Sequence, residues 1–400
     1  MAPPHPPPPD PPILRTHDEL LEEILLLLPT AADLARASAA CASFRRLITD
    51  HTFLRRYRTL HPPPLIGVIH RNAFIPAQPP HSSAVVARAF AGFDFSCSSF
   101  LPTNAGRAWS SIDFFDGRAL LAGAPVYEGH PEMCNFDPLQ LLVRDLAVCD
   151  PVNRRYILLP AVPGHLTALV PKPDLLDLEA FLAPGDDEED PLSFRVMCLA
   201  QCRTNMVILV FSSSLGGQWH ALTFDQWTVR ATFHPLEDGL LSRQFIRGCF
   251  CWHSPFLNKL LLLDTHSMEF SAVSLPPEQQ QSPDFVIVEA AEGMLGMLTR
   301  SSDGVNQDSP YWLEYSILRN NHWHTEKFIP LPEKYDVLLF GVAGGYVLML
   351  AYYTTSSQEN WKLGFFSVDV KTLQVELFGE GSSGGELYAG FPPSLSAPTI

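Results

Sequence analysis

A repeated pattern of short strand, acidic turn and returning strand constrains this 400-residue chain more than any other feature. Leu146-Ala-Val-Cys-Asp150 turns through Pro-Val-Asn-Arg-Arg and returns as Tyr156-Ile-Leu-Leu-Pro160. Leu260 to Asp264 followed by Phe270 to Pro276 reads the same way, as does Phe365 to Asp369 followed by Val375 to Phe378. Leu222 to Asp225 with its continuation to Phe233 is a partial copy, and Glu314 to Pro332 is a copy lacking the Asp. Each is read as the outer hairpin of a four-stranded unit, since Asp and Asn side chains bond their own backbone two residues on and favour turns. Glycines ahead of several units (Asp116-Gly117, Arg247-Gly248, Glu292-Gly293, Gly344-Gly345) are read as leading an inner strand. Asp225 and Asp264 lie 39 residues apart, and Asp264 to Asp369 is 105, close to two units of about 50 residues. Sandwiches and barrels also consist of short apolar runs broken by Gly and Pro, but a period of roughly 40–50 residues points to a propeller, here of five to seven blades.

The repeats begin after His61-Pro62-Pro63-Pro64, where helical periodicity ends. Before them, Leu20, Leu21, Ile24, Leu25 and Leu28 place an apolar stripe on one helix face, with Thr16 and Glu19 in capping-box spacing. Pro29 stops this helix and Thr30 re-caps the next. Two further helical runs span about Phe44 to Ile48 and Phe53 to Leu60. A module under about 50 residues has little core of its own, so an exposed leucine face on it implies a partner. Residues 1–13 are Pro-rich and cannot build a core; they read as a solvated tail or a ligand for a polyproline-binding domain.

Net charge is −16, and it resides in the large domain: residues 14–60 hold seven Arg against six acids. An acidic domain repels phosphate backbones, so nucleic-acid binding is not expected. The eight Cys form no CxxC pair, and the near pairs Cys198/Cys202 and Cys249/Cys251 lie in strand-like runs. They read as buried, reduced thiols. No apolar stretch reaches about 18 residues, so no membrane helix is expected, and the N-terminus lacks a signal-peptide core. The expected location is intracellular, cytoplasmic and/or nuclear. Residues 174–191, with Asp186 to Asp190, read as an acidic surface loop.

Catalytic motifs are weak. Gly381-Ser-Ser383-Gly-Gly385 has the letters of a nucleophile elbow without the strand-to-helix context. His130-Pro-Glu132 lacks the Pro-Cys-x-x-Cys that a zinc deaminase needs. His322 and His324 read as exposed strand residues, and Cys249, Cys251 and His253 as buried residues sharing one strand face. No metal, cofactor or catalytic residue is assigned.

Leu14 to Pro29, then Asp33-Leu34, Ser38, Cys41, Phe44-Arg-Arg-Leu47-Ile48 and Phe53-Leu54, resembles the F-box. Arg15-Thr16 stands where that family has a Pro after the leading Leu, and Phe44 where it usually has Trp. The Asp-turn hairpins resemble the F-box-associated propeller repeats abundant in plants, and the whole chain looks like a grass-type member. This resemblance implies an α+β multidomain fold: a Pro-rich tail (1–13), a small helical F-box (14–60) and an all-β propeller-like domain of degenerate blades (61–400). It implies a non-enzymatic partner of a Skp-family adaptor, and through it of a cullin, whose β domain recruits a protein target. Leu14, Leu20, Leu21, Ile24, Leu28, Pro29, Leu34, Cys41 and Phe44 become candidates for the adaptor interface or the packing that shapes it. The alternatives are a stand-alone propeller binding module, and a propeller hydrolase or lectin-like enzyme.

Overall fold

The computed structural model describes residues 18–400 apart from 62, 71–72, 91, 98, 103–107, 124–144, 187–189, 191, 215, 226–239, 256, 280–283, 302–311, 332–334, 356–357, 382–383 and 391–399. Four short helices come first: α1 (Asp18–Leu26), α2 (Ala31–Ala40), α3 (Ala42–Ile48) and α4 (His51–Leu60). The starts of the last three follow from local capping, and Thr16, the cap expected for α1, lies outside the described residues. The Thr30 hydroxyl accepts from the Asp33 amide, the Cys41 thiol from Phe44, and the Asp50 carboxylate from Thr52 and Phe53.

Six antiparallel sheets follow. The second blade orders β3 (Trp109–Phe115), β4 (Arg118–Gly123), β5 (Leu146–Asp150) and β6 (Arg155–Leu158) from inside to outside. The third holds β7 (Leu175–Pro184), β8 (Phe194–Cys202), β9 (Met206–Ser212) and β10 (Gln218–Phe224). The fourth holds β11 (Leu241–Ile246), β12 (Cys249–Ser254), β13 (Lys259–Asp264) and β14 (Phe270–Ser274). The fifth holds β15 (Phe285–Glu289), β16 (Leu295–Ser301), β17 (Trp312–Arg319) and β18 (His322–Pro330), and the sixth β19 (Tyr335–Ala343), β20 (Tyr346–Thr355), β21 (Gln358–Asp369) and β22 (Val375–Glu380). The first blade joins both ends of the ring, with β1 (Leu65–His70) between β2 (Ala73–Pro76) and the C-terminal β23 (Glu386–Ala389). The inner strands β23, β3, β7, β11, β15 and β19 neighbour one another around the axis, which closes a six-bladed propeller.

Strand periodicity explains the core. Alternate residues of one strand enter the two interfaces with the blades on either side. Cys198 and Leu209 face the second blade, whereas Met197, Ile208 and Val210 pack on Phe250, Trp252 and Leu261 of the fourth. Because both faces are covered, β8 and β9 are buried throughout, and Met206 to Phe211 of β9 reads as an unbroken apolar run.

Three of the expected hairpin turns are present in the expected place. Asp150 Oδ1 accepts from the Asn153 amide, Asp264 Oδ1 from His266 and Ser267, and Asp369 Oδ1 from Lys371 and Thr372. The hairpin lacking Asp turns through Asn320 and Asn321, both at positive φ. Three expectations are corrected. Asp225 follows the outermost strand of the third blade instead of turning its outer hairpin. The glycine pairs close the turns between inner and second strands, as at Asp116-Gly117 and Arg247-Gly248, so the strand they lead is the second. Finally, most of the expected loop 174–191 is β7: Leu175–Pro184 is the inner strand of the third blade, with Phe181, Leu182 and Ala183 fully buried. Of its acidic run, Asp186 accepts from Ser212 and Ser214, and residues 187–189 lie outside the described residues.

The helices join the ring on the face carrying the inner turns. A Cβ on Gly344 would lie 2.2 Å from the Leu65 nitrogen and 2.7 Å from the Pro63 carbonyl oxygen, and Gly390 donates to Pro64 O. Since strands alternate in direction, the connections between blades depart from the opposite face.

His81 fills a slot between the first and sixth blades. Its ring meets Tyr346 and Phe378 edge-on, and its Nδ1 accepts from the Ser83 amide while Nε2 has no partner among the described residues. Burial pushes its pKa down to about 4 from 6.5. The native state therefore holds His81 neutral, while the unfolded chain protonates it below about pH 6.5, so this contribution is whole above that pH and lost as pH falls toward 4. Between pH 7.5 and 5, wild type should lose about 1–2 kcal/mol more stability than His81→Asn, whose amide oxygen can keep the Ser83 bond. Urea unfolding of both proteins at both pH values checks this; equal losses would contradict it.

Candidate functional site

The first four helices share one small core. Leu21, Leu25, Leu26, Leu34, Leu47, Ile48, Phe53, Leu54 and Tyr57 are buried together. Tyr57 Oη donates to Leu28 O at 3.1 Å, and His61 Nε2 lies 2.8 Å from Leu26 O, tying α4 to the end of α1. Arg46 pairs with Asp18 at 2.6 Å, and Arg56 with Glu23 at 2.5 Å and Glu22 at 3.6 Å. These arginines serve contacts within the module, and because water screens such exposed pairs each contributes little to stability.

The apolar stripe read from the sequence divides in two. Leu21 and Leu25 face inward, and Leu28 is half-buried. Leu20 (58% exposed), Ile24 (48%) and Leu27 (79%) form a second apolar row, at i, i+4 and i+7, on the outside. Of the other candidates, Leu34 is core, Cys41 and Phe44 are half-buried beside it, Pro29 is exposed, and Leu14 lies outside the described residues. Leu27 escaped the sequence reading because a leucine run is apolar on every face; only the packing of the other helices separates inside from outside.

This division has a measurable consequence. Ile24→Asp should change stability by no more than about 0.5 kcal/mol, as exposed substitutions do. Leu34→Ala, at a fully buried position, should cost about 2–5 kcal/mol by leaving a cavity. Urea unfolding followed by helix circular dichroism checks both.

A second cluster, on the propeller axis, is invisible in the sequence because four distant segments supply it. Arg243 of β11 pairs with Asp113 of β3 at 2.6 Å and Glu179 of β7 at 3.3 Å, its guanidinium carbon 4.4 Å from the Phe181 ring centre. Asp113 also accepts from the Leu182 amide at 2.7 Å, and Glu179 from the Trp252 indole at 3.1 Å. Burial pushes the Asp113 carboxyl above its usual range, with Arg243 pulling it partly back; burial, then Asp113, raises Glu386 of β23. Burial opposes the Arg243 charge, yet Glu179 and Asp113 raise its pKa overall. The cluster joins strands of three blades by internal ion pairs.

The motifs that hinted at chemistry do not assemble. His322 and His324 are exposed on the outer strand β18. Cys251 and His253 are buried, with both ring nitrogens of His253 unpartnered among the described residues. No group of three or more metal-ligating side chains occurs among the described residues. Gly384-Gly385 leads into β23 instead of a helix; Ser383, His130 and Glu132 lie outside the described residues. No helix among the described residues is long and apolar enough to cross a membrane. The described cysteines are free thiols, five of them buried.

No protein-family model matches the chain, and no curated protein does. Among solved structures, it is similar to the β-propeller domain of the Trilobed protease from Pyrococcus furiosus, at 10% identity and TM-score 0.35 over 68% of this chain and 70% of that one. It is also similar to a β-fructofuranosidase from Bombyx mori, at 11% identity and TM-score 0.28 over 67% and 61%, so that this chain spans under two thirds of the enzyme. An endo-arabinase from Bacteroides thetaiotaomicron matches at 11% identity and TM-score 0.24 over 49% and 78%. Likenesses this distant say nothing about activity.

Proposed function

We propose that the chain is the non-catalytic substrate-recognition subunit of a Skp–cullin–F-box ubiquitin ligase, of the grass-type plant F-box class that its sequence resembles. The supporting observation is the exposed row Leu20, Ile24 and Leu27 on a helical module whose own core is already filled by Leu21, Leu25 and Leu26. An apolar row left outside a satisfied core is what a docking helix presents to a partner groove. The Skp-family adaptor covers this row. The propeller holds a target protein, and bound target lysines gain effective concentration near the charged ubiquitin carrier.

The test is co-expression of the chain with a Skp-family adaptor and a cullin, followed by purification on the chain. Wild type should retain both, and Ile24→Asp/Leu27→Asp, still folded by circular dichroism, should retain neither. A wild-type chain that retains no adaptor would favour a stand-alone propeller binding module.

A further inference from the structure

The outer edge of the second blade differs from those of the fifth and sixth. Exposed outer strands usually carry charges or kinks that prevent pairing with other chains. Here β18 presents His322, His324, Glu326 and Lys327, and β22 presents Glu376 and Glu380. In contrast, β6 is exposed at all four residues, and three consecutive ones are large and apolar: Tyr156 (40%), Ile157 (39%) and Leu158 (48%).

Its backbone is also available. Leu159 N donates to Leu146 O at 2.9 Å, and the register pairs Val148 with Ile157 and Asp150 with Arg155. Antiparallel alternation therefore turns the Arg155 and Ile157 amides toward β5 and the Tyr156 and Leu158 amides outward. No strand pairs with that outer edge among the described residues.

A cleft of about 210 Å³ adjoins the strand, lined by Gly92, Phe93, Asp94, Phe100, Pro151 and Arg154 among others. Phe100 links it to the strand, its ring centre 6.4 Å from that of Tyr156. Two cations sit at this end. Arg154 donates to Ser99 Oγ at 3.1 Å and lies over Phe100; Arg155 donates to Ile400 O at 3.2 Å. Neither pairs with an Asp or Glu side chain among the described residues, on a chain of net charge −16.

We propose that β6 is a strand-addition site for an extended segment of a partner protein. The segment pairs with the Tyr156 and Leu158 backbone, lays apolar side chains on Tyr156, Ile157 and Leu158, places an aromatic or aliphatic side chain in the Phe93–Phe100 cleft, and carries an acidic residue facing Arg154 and Arg155. Main-chain bonds supply affinity, and the cleft and charges supply selectivity. This site is independent of the adaptor-docking row.

The test uses the full chain and an N-acetylated, fluorescein-labelled heptapeptide alternating Glu with Val and Phe, read by fluorescence anisotropy. Saturable binding is expected. Methylating alternate amide nitrogens of the peptide should weaken it at least about tenfold, since each lost hydrogen bond is worth about 1–1.5 kcal/mol. Tyr156→Pro removes only an outward N–H, which an edge strand tolerates. It should weaken binding more than Tyr156→Ala, which keeps the amide, and both should keep the wild-type melting profile. Arg155→Glu should weaken binding, with less salt dependence than wild type. No binding, or binding indifferent to peptide methylation and to Tyr156→Pro, would overturn the proposal. So would a concentration-dependent dimer in sedimentation that Tyr156→Pro abolishes, because a second copy of this chain would then be the occupant.

Discussion

Arg243→Met is expected to destabilise the propeller by about 3–5 kcal/mol at pH 7, the cost of breaking a buried ion pair from one side. Methionine keeps much of the volume over Phe181 but leaves Asp113 and Glu179 without their cation. Asp113 is nearly covered, at 6% side-chain exposure, and already sits above the usual carboxylate range because of burial. Without Arg243 it should take up a proton more readily, so the penalty should shrink as pH falls from 7 to 5. Adding Asp113→Asn should recover part of the loss, because a neutral amide no longer needs the guanidinium. Urea unfolding of the single and double variants at both pH values measures this. A loss under about 1 kcal/mol, or one independent of pH, would mean that the axial cluster is solvated and contributes little.

Tyr388→Ala should cost about 3–5 kcal/mol, the range for deleting a large buried aromatic. Tyr388 lies on β23, the strand through which the end of the chain closes the ring, and it is 3% exposed. Its ring meets Phe74, Phe90, Phe95 and Phe114, which come from the first blade, the segment after it and the second blade. Truncation leaves a cavity where the two ends of the propeller meet. Stability should fall, and amides of β1 and β23 should exchange hydrogen faster than those of β8 and β9, whose blade lies away from the closure. Uniform acceleration across all blades would instead mean that the ring opens only with global unfolding.

What could be read ahead of the structure follows from how local each signal is. The turns at Asp150, Asp264 and Asp369 were legible because an Asp side chain bonding amides two or three residues on is encoded within four residues. Asp225 has the same local letters, but which strand precedes it depends on the whole blade. The acidic run Asp186 to Asp190 reads as a loop in sequence and masks the strand just before it, although Asp177 and Glu179 alternate with buried Leu176, Leu178 and Ala180. Glu179 is there for the axis, where Arg243 and Trp252 meet it. The axial cluster needs residues from positions 113, 179, 243 and 386 to converge, and no local pattern marks any of them. The exposed apolar row is half legible in the sequence: Leu20 and Ile24 stand among the candidates, while the candidates Leu21 and Leu34 belong to the module's own core.

The most direct measurement of the ligase reading is a calorimetric titration of the full chain with a panel of Skp-family adaptors, beside the folded variant Leu20→Asp/Ile24→Asp. The prediction is one adaptor per chain, with dissociation constants of about 1 μM or tighter, equivalent to about −8 kcal/mol, and no detectable binding by the variant. Absence of binding to every adaptor, or equal binding by the variant, would contradict the assignment of the Leu20–Ile24–Leu27 row as the adaptor-docking face.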